Sequence, residues 1–528
     1  MPESDWEATH PLLLVGKHFA TKGLLIGAVW GVKHLIWRHG KNSEDMDINK
    51  SYRIYQNSGR EFKAANPRWL VEAASDAVDE EPLASPLEDR FQELYRSEKA
   101  ALQPGRAALE HMFTLDPTWR YLNHGSYGAT IRYAAEVQQW WRDRCEQQPV
   151  FFHETEVLPA LKAARDEVAA LIGAQGRDVV PVTNATAATN IIISGLGLRR
   201  GDLLLMTNLT YPAVKNALAR AAARSGAGLI EVQLPLSRLA GGTADVAAAF
   251  DDALTAGRGR VKLAVIDHIS SFPPFTFPVQ QLCSLCRAAG AKVLVDGAHA
   301  VGARSLDVPS LGAHYYTSNL HKWLCTPKGS AFLWVTPAEQ PHTLPLVTSH
   351  GYGLGFQGEF LWQGTSDVSA WLAVPAALRV MRAVGIDTWR QHNSSLLSDA
   401  VALLSRALNT DHVVGAEVEG ACMAAVELPA TLPLSATVAD ALFLHELLQS
   451  RFKIEVPIAC WEGRLWARIS AQYYNCLGDY QALADAVRDL VLEGQDSDTE
   501  DAGVTRSFQR KLANGSNSAL ASNGAASY

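Results

Sequence analysis

The sequence lacks a hydrophobic run long enough to cross a bilayer. Its most apolar N-terminal stretch, Gly23 to Val32, is flanked by Lys22 and Lys33 and falls short of the roughly 20 apolar residues that a membrane-spanning helix needs. Acidic residues at Asp5 and Glu7 lie where a secretory signal would be basic. We interpret this stretch as a surface helix or disordered extension, with an organelle-import presequence or a membrane-surface helix as the alternatives.

An excess of positive charge is also missing. The chain carries 47 basic and 55 acidic side chains and a formal net charge of −8, so it exerts no general attraction on a polyanion. Nucleic acid is therefore disfavoured as a partner. We expect the chain to act on a small molecule instead.

Cysteines are few, and their pattern is not that of a disulfide framework. The seven cysteines are an odd number scattered through a long chain, unlike those of a small secreted domain. Cys283 and Cys286 have metal-ligand spacing, but no second pair follows at zinc-site distance. We therefore expect buried helix cysteines, no metal site and an intracellular, cytoplasmic protein, unless the N-terminal extension directs organelle import or membrane-surface attachment.

The domain organisation follows from length and local composition. At 528 residues and 48% hydrophobic, the chain can bury more than one core. We read residues 1–104 as an N-terminal extension and linker, 105–372 as a large domain and 373–492 as a smaller C-terminal domain. Residues 493–528 are rich in Ser, Asn, Gly, Asp and Ala and cannot bury enough apolar surface to offset their ordering entropy, which predicts a disordered tail.

Short β-branched runs alternate with helical stretches along the large domain. This alternation predicts βαβ units and a mainly parallel sheet, hence an α/β fold. In the smaller domain we expect strands near residues 417–427, a hairpin through 454–470 that reverses at Glu462 and Gly463, and a closing helix over 479–492. The predicted strands of the large domain are Val179–Val182, Leu203–Met206, Leu229–Val232, Lys262–Ile266, Lys292–Val295 and Ala331–Val335.

The residues that carry chemistry are densest between 291 and 335. Asp296 ends an apolar strand, and ligands of open α/β sheets bind beyond the carboxyl ends of strands. Ser318, His321 and Lys322 follow within a short segment. Pyridoxal-5′-phosphate (PLP) chemistry needs a lysine for the Schiff base, an acid at the ring nitrogen and donors for the phosphate. We therefore expect Lys322 to carry the cofactor and move the α-proton, and Asp296 to hold the pyridine nitrogen.

Two elements in this segment resemble a known family. Asp-Gly-Ala-His at 296–299 and His-Lys-Trp-Leu at 321–324 resemble signatures of the isopenicillin-N-epimerase-like branch of the class-V aminotransferases. The resemblance runs from about Gly105 to Leu492. It implies a fold-type-I PLP-dependent transferase fold, with a mainly parallel sheet in the large domain and a smaller C-terminal α+β domain. It also implies Lys322 as the Schiff-base residue, Asp296 at the ring nitrogen and His299 near the phenolic oxygen of the ring.

Further segments match the family in the expected order. The resemblance implies that Asn123 and His124 lie at the mouth of the substrate site and that Arg468 pairs with the substrate α-carboxylate. It implies phosphate contacts from a helix N-terminus at Asn184, Ala185 and Thr186, and from Ser318 and His321 in the lysine segment. It also implies that Tyr211 stacks on the cofactor ring and that Thr365 reaches the phosphate of the neighbouring subunit in a homodimer. Cys325 is not expected to form a persulfide, because sulfur-carrying cysteines of the family belong to a flexible loop in another branch.

Three functions remain open at this stage. The first is a carbon–sulfur lyase that yields pyruvate and ammonia, as cysteine desulfhydrases and hercynylcysteine sulfoxide lyases of this branch do. The second is an epimerase or transaminase. An epimerase needs a second acid–base group on the opposite ring face, for which Tyr211 or His124 is a candidate. The third is a catalytically silent scaffold, which the presence of both Lys322 and Asp296 disfavours. The sequence does not specify which amino acid is the substrate.

Overall fold

The computed structural model describes residues 67–74, 88–95, 102–415 and 420–496. The apolar stretch Gly23–Val32 and residues 497–528 of the predicted tail lie outside these ranges. Within them, no single helix is long and apolar enough to cross a membrane. One bent pair, Ser369–Val384 with Ile386–Leu408, passes that test by length and composition only.

Thirteen strands form three sheets in the described residues. The largest is a seven-stranded sheet of order β2-β8-β7-β6-β5-β3-β4, in which β8 alone runs antiparallel to its neighbours. The strands are β1 Arg120–Tyr121, β2 Val179–Val182, β3 Leu203–Thr207, β4 Gly228–Val232, β5 Val261–Asp267, β6 Lys292–Asp296, β7 Tyr315–Asn319, β8 Ala331–Val335, β9 Val413–Val414, β10 Met423–Glu427, β11 Ile454–Glu455, β12 Ile458–Trp461 and β13 Arg464–Ser470.

Helices cover both faces of this sheet. Because side chains of a strand alternate between faces, Leu263 and Val265 of β5 pack in one core and Ala264 and Ile266 in another. The helices are α1 Arg68–Ala74, α2 Glu88–Tyr95, α3 Arg106–Met112, α4 His124–Tyr127, α5 Arg132–Gln147, α6 Pro149–Phe151, α7 Val157–Leu171, α8 Ala185–Gly195, α9 Pro212–Ser225, α10 Leu236–Ala240, α11 Gly242–Gly257, α12 Val279–Ala288, α13 Gly355–Leu361, α14 Ser369–Leu372, α15 Val374–Val384, α16 Ile386–Leu408, α17 Val438–Phe452 and α18 Leu477–Asp496.

A separate core is built on the four-stranded antiparallel sheet of order β12-β13-β10-β9. Helices α16, α17 and α18 contribute Leu404, Leu444 and Leu483 to it. The predicted reversal is confirmed: Glu462 and Gly463 both have positive φ, 49° and 72°, as a two-residue hairpin turn requires. The short strand β1 pairs in parallel with β11. This pairing carries the segment after Tyr121 to the hairpin that holds Arg468.

The predicted α/β fold with a mainly parallel sheet is confirmed, and each of the six predicted strands is present. The sequence reading missed β7, whose residues are Tyr-Tyr-Thr-Ser-Asn. Its polar carboxyl half hides a strand in which all five residues are buried, because β6 and β8 flank it in the sheet. In the stretch read as a linker, the described helices α1 and α2 place Leu70, Phe91 and Tyr95 in the main core.

Candidate active site

The site lies at the carboxyl edge of the large sheet. Strands β5, β6 and β7 end there at Asp267, Asp296 and Asn319. Lys322 follows β7 in a turn that is closed by a hydrogen bond from the Cys325 N–H to the Lys322 carbonyl, 3.0 Å. The sheet therefore brings the predicted lysine and the predicted acid to one edge, as expected for a ligand site of an open α/β sheet.

Two glycines press against the turn that carries Lys322. A β-carbon on Gly128 would lie 2.0 Å from the His321 carbonyl oxygen, and one on Gly302 would lie 2.5 Å from the Trp323 carbonyl carbon. Both glycines also have positive φ, 70° and 92°, a region that other residues rarely adopt. The backbone of the lysine turn is thus fixed from both sides by main chain that admits no side chain.

The Lys322 amine lies where its charged form is disfavoured. Its Nζ is 3.2 Å from Nε2 of His299. Burial and then the positive charge of Arg468 lower the pKa of Lys322 to about 7, against an opposing effect of Asp296. A large fraction of the amine is therefore neutral near neutral pH, the form that can attack a carbonyl or accept a proton.

Asp296 is buried, at 6% exposed, and its Oδ1 accepts a hydrogen bond from the Ala298 N–H, 3.0 Å. Burial raises its pKa, while the Ala298 N–H and the charge of Lys322 oppose that rise. A buried carboxylate of this kind is stable only with a proton or a cationic partner.

Sequence reasoning missed a second buried acid beside Asp296. Asp267 is its register partner on β5, and register partners of parallel strands point to the same face. Burial and the charge of Asp296 raise the pKa of Asp267 well above its usual value, and Asp267 Oδ2 has no hydrogen-bond partner in the described part of the chain. The available signal was an acid directly after the preceding predicted strand, Lys262–Ile266.

The N-terminus of α8 faces this edge through the predicted phosphate residues. The Asn184 side chain caps the helix by accepting from the Ala187 N–H, 2.8 Å. The Ala185 N–H donates to Oδ1 of Asn319, 2.9 Å. The N–H of Thr186 lies between them in the first turn, where helical geometry provides no acceptor. A helix N-terminus with such a group suits an anion.

Ser318 and Asn319 point in opposite directions, as neighbours on a strand must. The Ser318 hydroxyl donates to the Gly297 carbonyl, 2.6 Å, whereas Asn319 faces α8. The sequence reading missed Asn319 because it did not recognise β7, and the period-2 pattern of that strand would have revealed it. His321 donates from Nδ1 to the Ser330 carbonyl, 3.0 Å, which leaves Nε2 on the opposite side of the ring. Burial, followed by the charge of Lys322, lowers the pKa of His321 to about 4.

Arg468 is 1% exposed and is held by polar groups on both terminal nitrogens. Nη1 donates to the carbonyl and the hydroxyl of Ser271, both at 3.0 Å. Nη2 donates to Asn123 Oδ1, 2.9 Å, and Ser126 Oγ, 2.7 Å. Asn123 in turn donates to Glu455 Oε1, 2.7 Å. The guanidinium is thereby fixed close enough to Lys322 to affect its pKa.

His124 lies behind the lysine turn. It is fully buried, and its Nε2 donates to the Lys322 carbonyl, 2.9 Å, while Nδ1 lies 3.0 Å from the Tyr474 hydroxyl. Burial lowers the pKa of His124 to about 3. The structure therefore connects His124 to the backbone of the lysine.

Tyr211 and Thr365 are exposed, as is Asn184 among the predicted site residues. Tyr211 is 37% exposed at the start of α9, and burial, Tyr127 and the charge of Asp296 raise its pKa. Thr365 lies exposed in the loop between α13 and α14. Within the described residues, no hydrogen bond joins Thr365 to the group around Lys322.

Comparisons with known proteins match this chain to one protein family and to relatives with two kinds of activity. The family model for class-V aminotransferases matches residues 151–428. A probable chloroplastic L-cysteine desulfhydrase of Arabidopsis thaliana is 33% identical over 405 residues, which cover 72% of this chain and 84% of that relative. An isopenicillin N epimerase of Streptomyces clavuligerus is 31% identical over 399 residues, covering 72% and 96%.

Solved structures show the same fold at lower identity. A cysteine desulfurase from Thermococcus onnurineus NA1 matches with a TM-score of 0.61 at 18% identity, over 73% of this chain and 97% of that one. The cystine C–S lyase C-DES, in complex with cysteine persulfide, matches with a TM-score of 0.60 at 20% identity, over 71% and 98%.

Proposed function

Because the chain belongs to the class-V aminotransferase family, we propose that it is a PLP-dependent carbon–sulfur lyase. Its reaction is β-elimination from a cysteine or cysteine-sulfoxide derivative, which gives pyruvate and ammonia. The observation that carries the proposal is the Lys322 amine, whose pKa is lowered to about 7. A base of this kind beside a buried acid and a fixed guanidinium is what an α-proton abstraction needs.

The residues present fit the cofactor. The buried Asp296, with its raised pKa, lacks the cation that a protonated pyridine nitrogen would supply. Lys322 would hold the cofactor covalently, and His299 would face the phenolic oxygen. Phosphate donors would come from the N-terminus of α8, Asn319 and His321. When bound, PLP supplies an electron sink that acidifies the substrate Cα–H bond.

The chain itself supplies binding, orientation and proton movement. Arg468 would hold the α-carboxylate and so fix the direction of the Cα–H bond toward Lys322. Nζ of Lys322 would take the α-proton and pass it to the leaving group as the Cβ–S bond breaks, so that a thiol departs from a cysteine derivative and a sulfenic acid from a cysteine sulfoxide. The unsaturated amino acid that leaves is hydrolysed by water to pyruvate and ammonia. His124 would hold the lysine backbone in place during these steps.

Two observations favour the lyase over its relatives' other reactions. An epimerase needs a second acid–base group across from Lys322. His124 is bonded to the backbone of Lys322 itself, which leaves Tyr211 as the candidate. A sulfur-carrying desulfurase needs an accessible thiol, but four of the cysteines are buried and the other three are half-buried. Burial raises the pKa of the Cys325 thiol far above its usual value.

The test is a panel of S-substituted L-cysteines and their sulfoxides, with pyruvate, ammonia, sulfide and D-isomer measured together. We expect equimolar pyruvate and ammonia and little D-isomer. In deuterium oxide, recovered substrate should remain L-configured whatever deuterium it has gained at Cα. Deuterated D-substrate without pyruvate would reject the lyase and favour the epimerase. Tyr211→Phe serves as the companion variant, because it should affect epimerisation far more than elimination.

We further propose a homodimer in which Thr365 reaches the partner's phosphate site. Four apolar side chains that lie close together in the sequence are at least half exposed: Leu344, Leu346, Val347 and Tyr352. Adjacent exposed apolar groups often mark an interface. Light scattering should give twice the chain mass, and Thr365→Ala should weaken PLP retention. A monomer with full activity would contradict this arrangement.

We propose that the large domain ends at residue 372 and the smaller domain begins at residue 373. We also propose an intracellular enzyme, in which the part of the N-terminal extension that precedes α1 is the candidate import or membrane-surface segment. One of the relatives is named as chloroplastic. Fusing residues 1–104 to a fluorescent protein tests this directly, since a diffuse cytoplasmic signal would remove the targeting role.

A further inference from the structure

His299 lies between two nitrogen donors of the lysine segment. The indole Nε1 of Trp323 donates to its Nδ1 at 3.4 Å, and Nζ of Lys322 lies 3.2 Å from its Nε2. His299 and Trp323 are only 3% and 1% exposed. The indole contact is therefore buried and the amine contact partly buried, and together they join the loop after β6 to the lysine turn.

The indole fixes the tautomer of His299. An indole N–H can only donate, so Nδ1 must be the acceptor and carries no proton. Burial, followed by the charges of Lys322 and Arg468, holds the pKa of His299 well below its usual value. The ring is therefore neutral, and a neutral imidazole without a proton on Nδ1 carries it on Nε2.

The protonated Nε2 faces the lysine amine. An ammonium group has three donors and no acceptor, so a charged Lys322 would place donor against donor at this contact. A neutral amine offers the lone pair that the His299 N–H requires. The contact therefore favours the form of Lys322 that can attack a carbonyl or take a proton.

We propose that Trp323 is a positioning residue that keeps Lys322 as a free base by fixing the tautomer of His299. Its value for catalysis rests on the proposed function, but the arrangement belongs to the cofactor-free protein and can be measured there. The other charged or titratable groups that act on this pair are Asp296, Arg468 and His124. None of them hydrogen-bonds the Trp323 indole within the described residues. The His124 ring does pack against the Trp323 ring, with centroids 5.0 Å apart, so a variant that keeps an aromatic ring at this position is required.

The variant is Trp323→Phe, which removes the N–H and keeps an aromatic ring. The matched control is Trp334→Phe, because Trp334 is also buried and its indole nitrogen makes no hydrogen bond in the described part of the chain. Nitrogen NMR of histidine-labelled, cofactor-free protein reads the tautomer, with the His299 signals assigned from a His299→Gln spectrum. Labelling with acetic anhydride across pH, followed by mass mapping, reads the protonation of Lys322.

We expect wild type and Trp334→Phe to show the Nε2–H tautomer. Trp323→Phe should populate the Nδ1–H form, whose bare Nε2 can accept from a charged amine. The labelling midpoint of Lys322 should then rise by about one pH unit, a tenfold change in its protonation equilibrium.

Two results would overturn the inference. One is Trp323→Phe with the tautomer and labelling midpoint of wild type. The other is an Nδ1–H tautomer in wild type, which decides the matter even if the variant does not fold. These readouts need no substrate, so a failed lyase assay with the expected tautomer shift would count against the proposed function and leave this inference supported.

Discussion

The amino and carboxyl ends of strands β5, β6 and β7 differ in how their charged side chains are paired. At the amino end of β5, β6 and β7, each charged or polar group meets a complementary one: Lys262 lies 3.8 Å from Asp202, and Lys292 and the Tyr315 hydroxyl lie 2.5 and 2.9 Å from Glu339. At the carboxyl end, Asp267 and Asp296 lie side by side and Lys322 faces a neutral histidine.

This difference separates charge that serves the fold from charge that serves chemistry. The amino-end pairs are partly exposed. Such pairs contribute little to stability, and their charges are already matched without a further partner. The carboxyl-end groups are buried with shifted pKa values, a pattern that marks functional sites. PLP would bring a cation to Asp296 and a carbonyl to Lys322.

The largest expected effect comes from removing the lysine at the carboxyl end. Lys322→Ala should still admit PLP through phosphate and ring contacts, but turnover should fall by more than about a thousandfold because both the covalent anchor and the base are lost. Lys292→Ala, at the other end of the neighbouring strand, is the matched control. Pyruvate release measures both, and a wild-type rate in Lys322→Ala would exclude Lys322 as the base.

Asp296→Asn tests the acid at the ring nitrogen. The amide keeps the size and one hydrogen bond but loses the charge that holds the pyridinium proton. The loss should be about 3 kcal/mol at the transition state, or about a hundredfold in kcat. Asp202→Asn at the amino end should leave kcat unchanged. An Asp296→Asn enzyme within twofold of wild type would remove Asp296 from this role.

The lowered pKa of Lys322 predicts a pH dependence. Only the neutral amine captures PLP, so capture by cofactor-free protein should fall about tenfold per pH unit below pH 7 and level off above it. A lysine with its ordinary pKa of 10.5 would instead keep gaining rate up to that pH. The folded protein binds fewer protons here than the unfolded chain between those two values, so this group makes the free energy of unfolding rise with pH in that window. Stopped-flow absorbance measures the capture.

The Asp267→Asn variant tests whether Asp267, the buried acid beside Asp296, is protonated. Two adjacent buried carboxyls do not both ionise, and burial and the charge of Asp296 raise the pKa of Asp267 well above its usual value. We therefore expect Asp267 to stay protonated, so the neutral amide should change kcat by less than about threefold. A loss comparable with that of Asp296→Asn would show that Asp267 is charged in the working enzyme.

The smallest effect is expected at the amino end. Lys292→Met breaks the pair with Glu339, and a partly exposed pair of this kind is worth about 1 kcal/mol. Urea unfolding measures the change in free energy of unfolding, with Lys262→Met as the companion variant. A loss of activity in either variant would contradict the separation of the two ends.

The sequence predicts the parts of the site that depend on strand ends. Asp296 and Lys322 could be placed because an apolar run ends at one and the other stands in a recognisable segment. Asn319 could not, because its direction depends on the register of a strand that its polar residues conceal. Glu455 could not either, because its contact with Asn123 arises from the pairing of β1 with β11, two short strands far apart in the chain. The His299 tautomer depends on a three-dimensional contact that no spacing encodes.

Gly128 and Gly302 limit the substitutions that this sequence can accept. Each packs main chain against main chain at the lysine turn, so a β-carbon there would meet backbone atoms rather than a side chain that can swing aside. In a saturation library selected for folded, active protein, both positions should therefore retain only glycine, while exposed neighbours vary freely. The two glycines are thus a sequence marker of the lysine turn. A distantly related sequence that keeps the lysine but lacks these glycines is not expected to form the same turn.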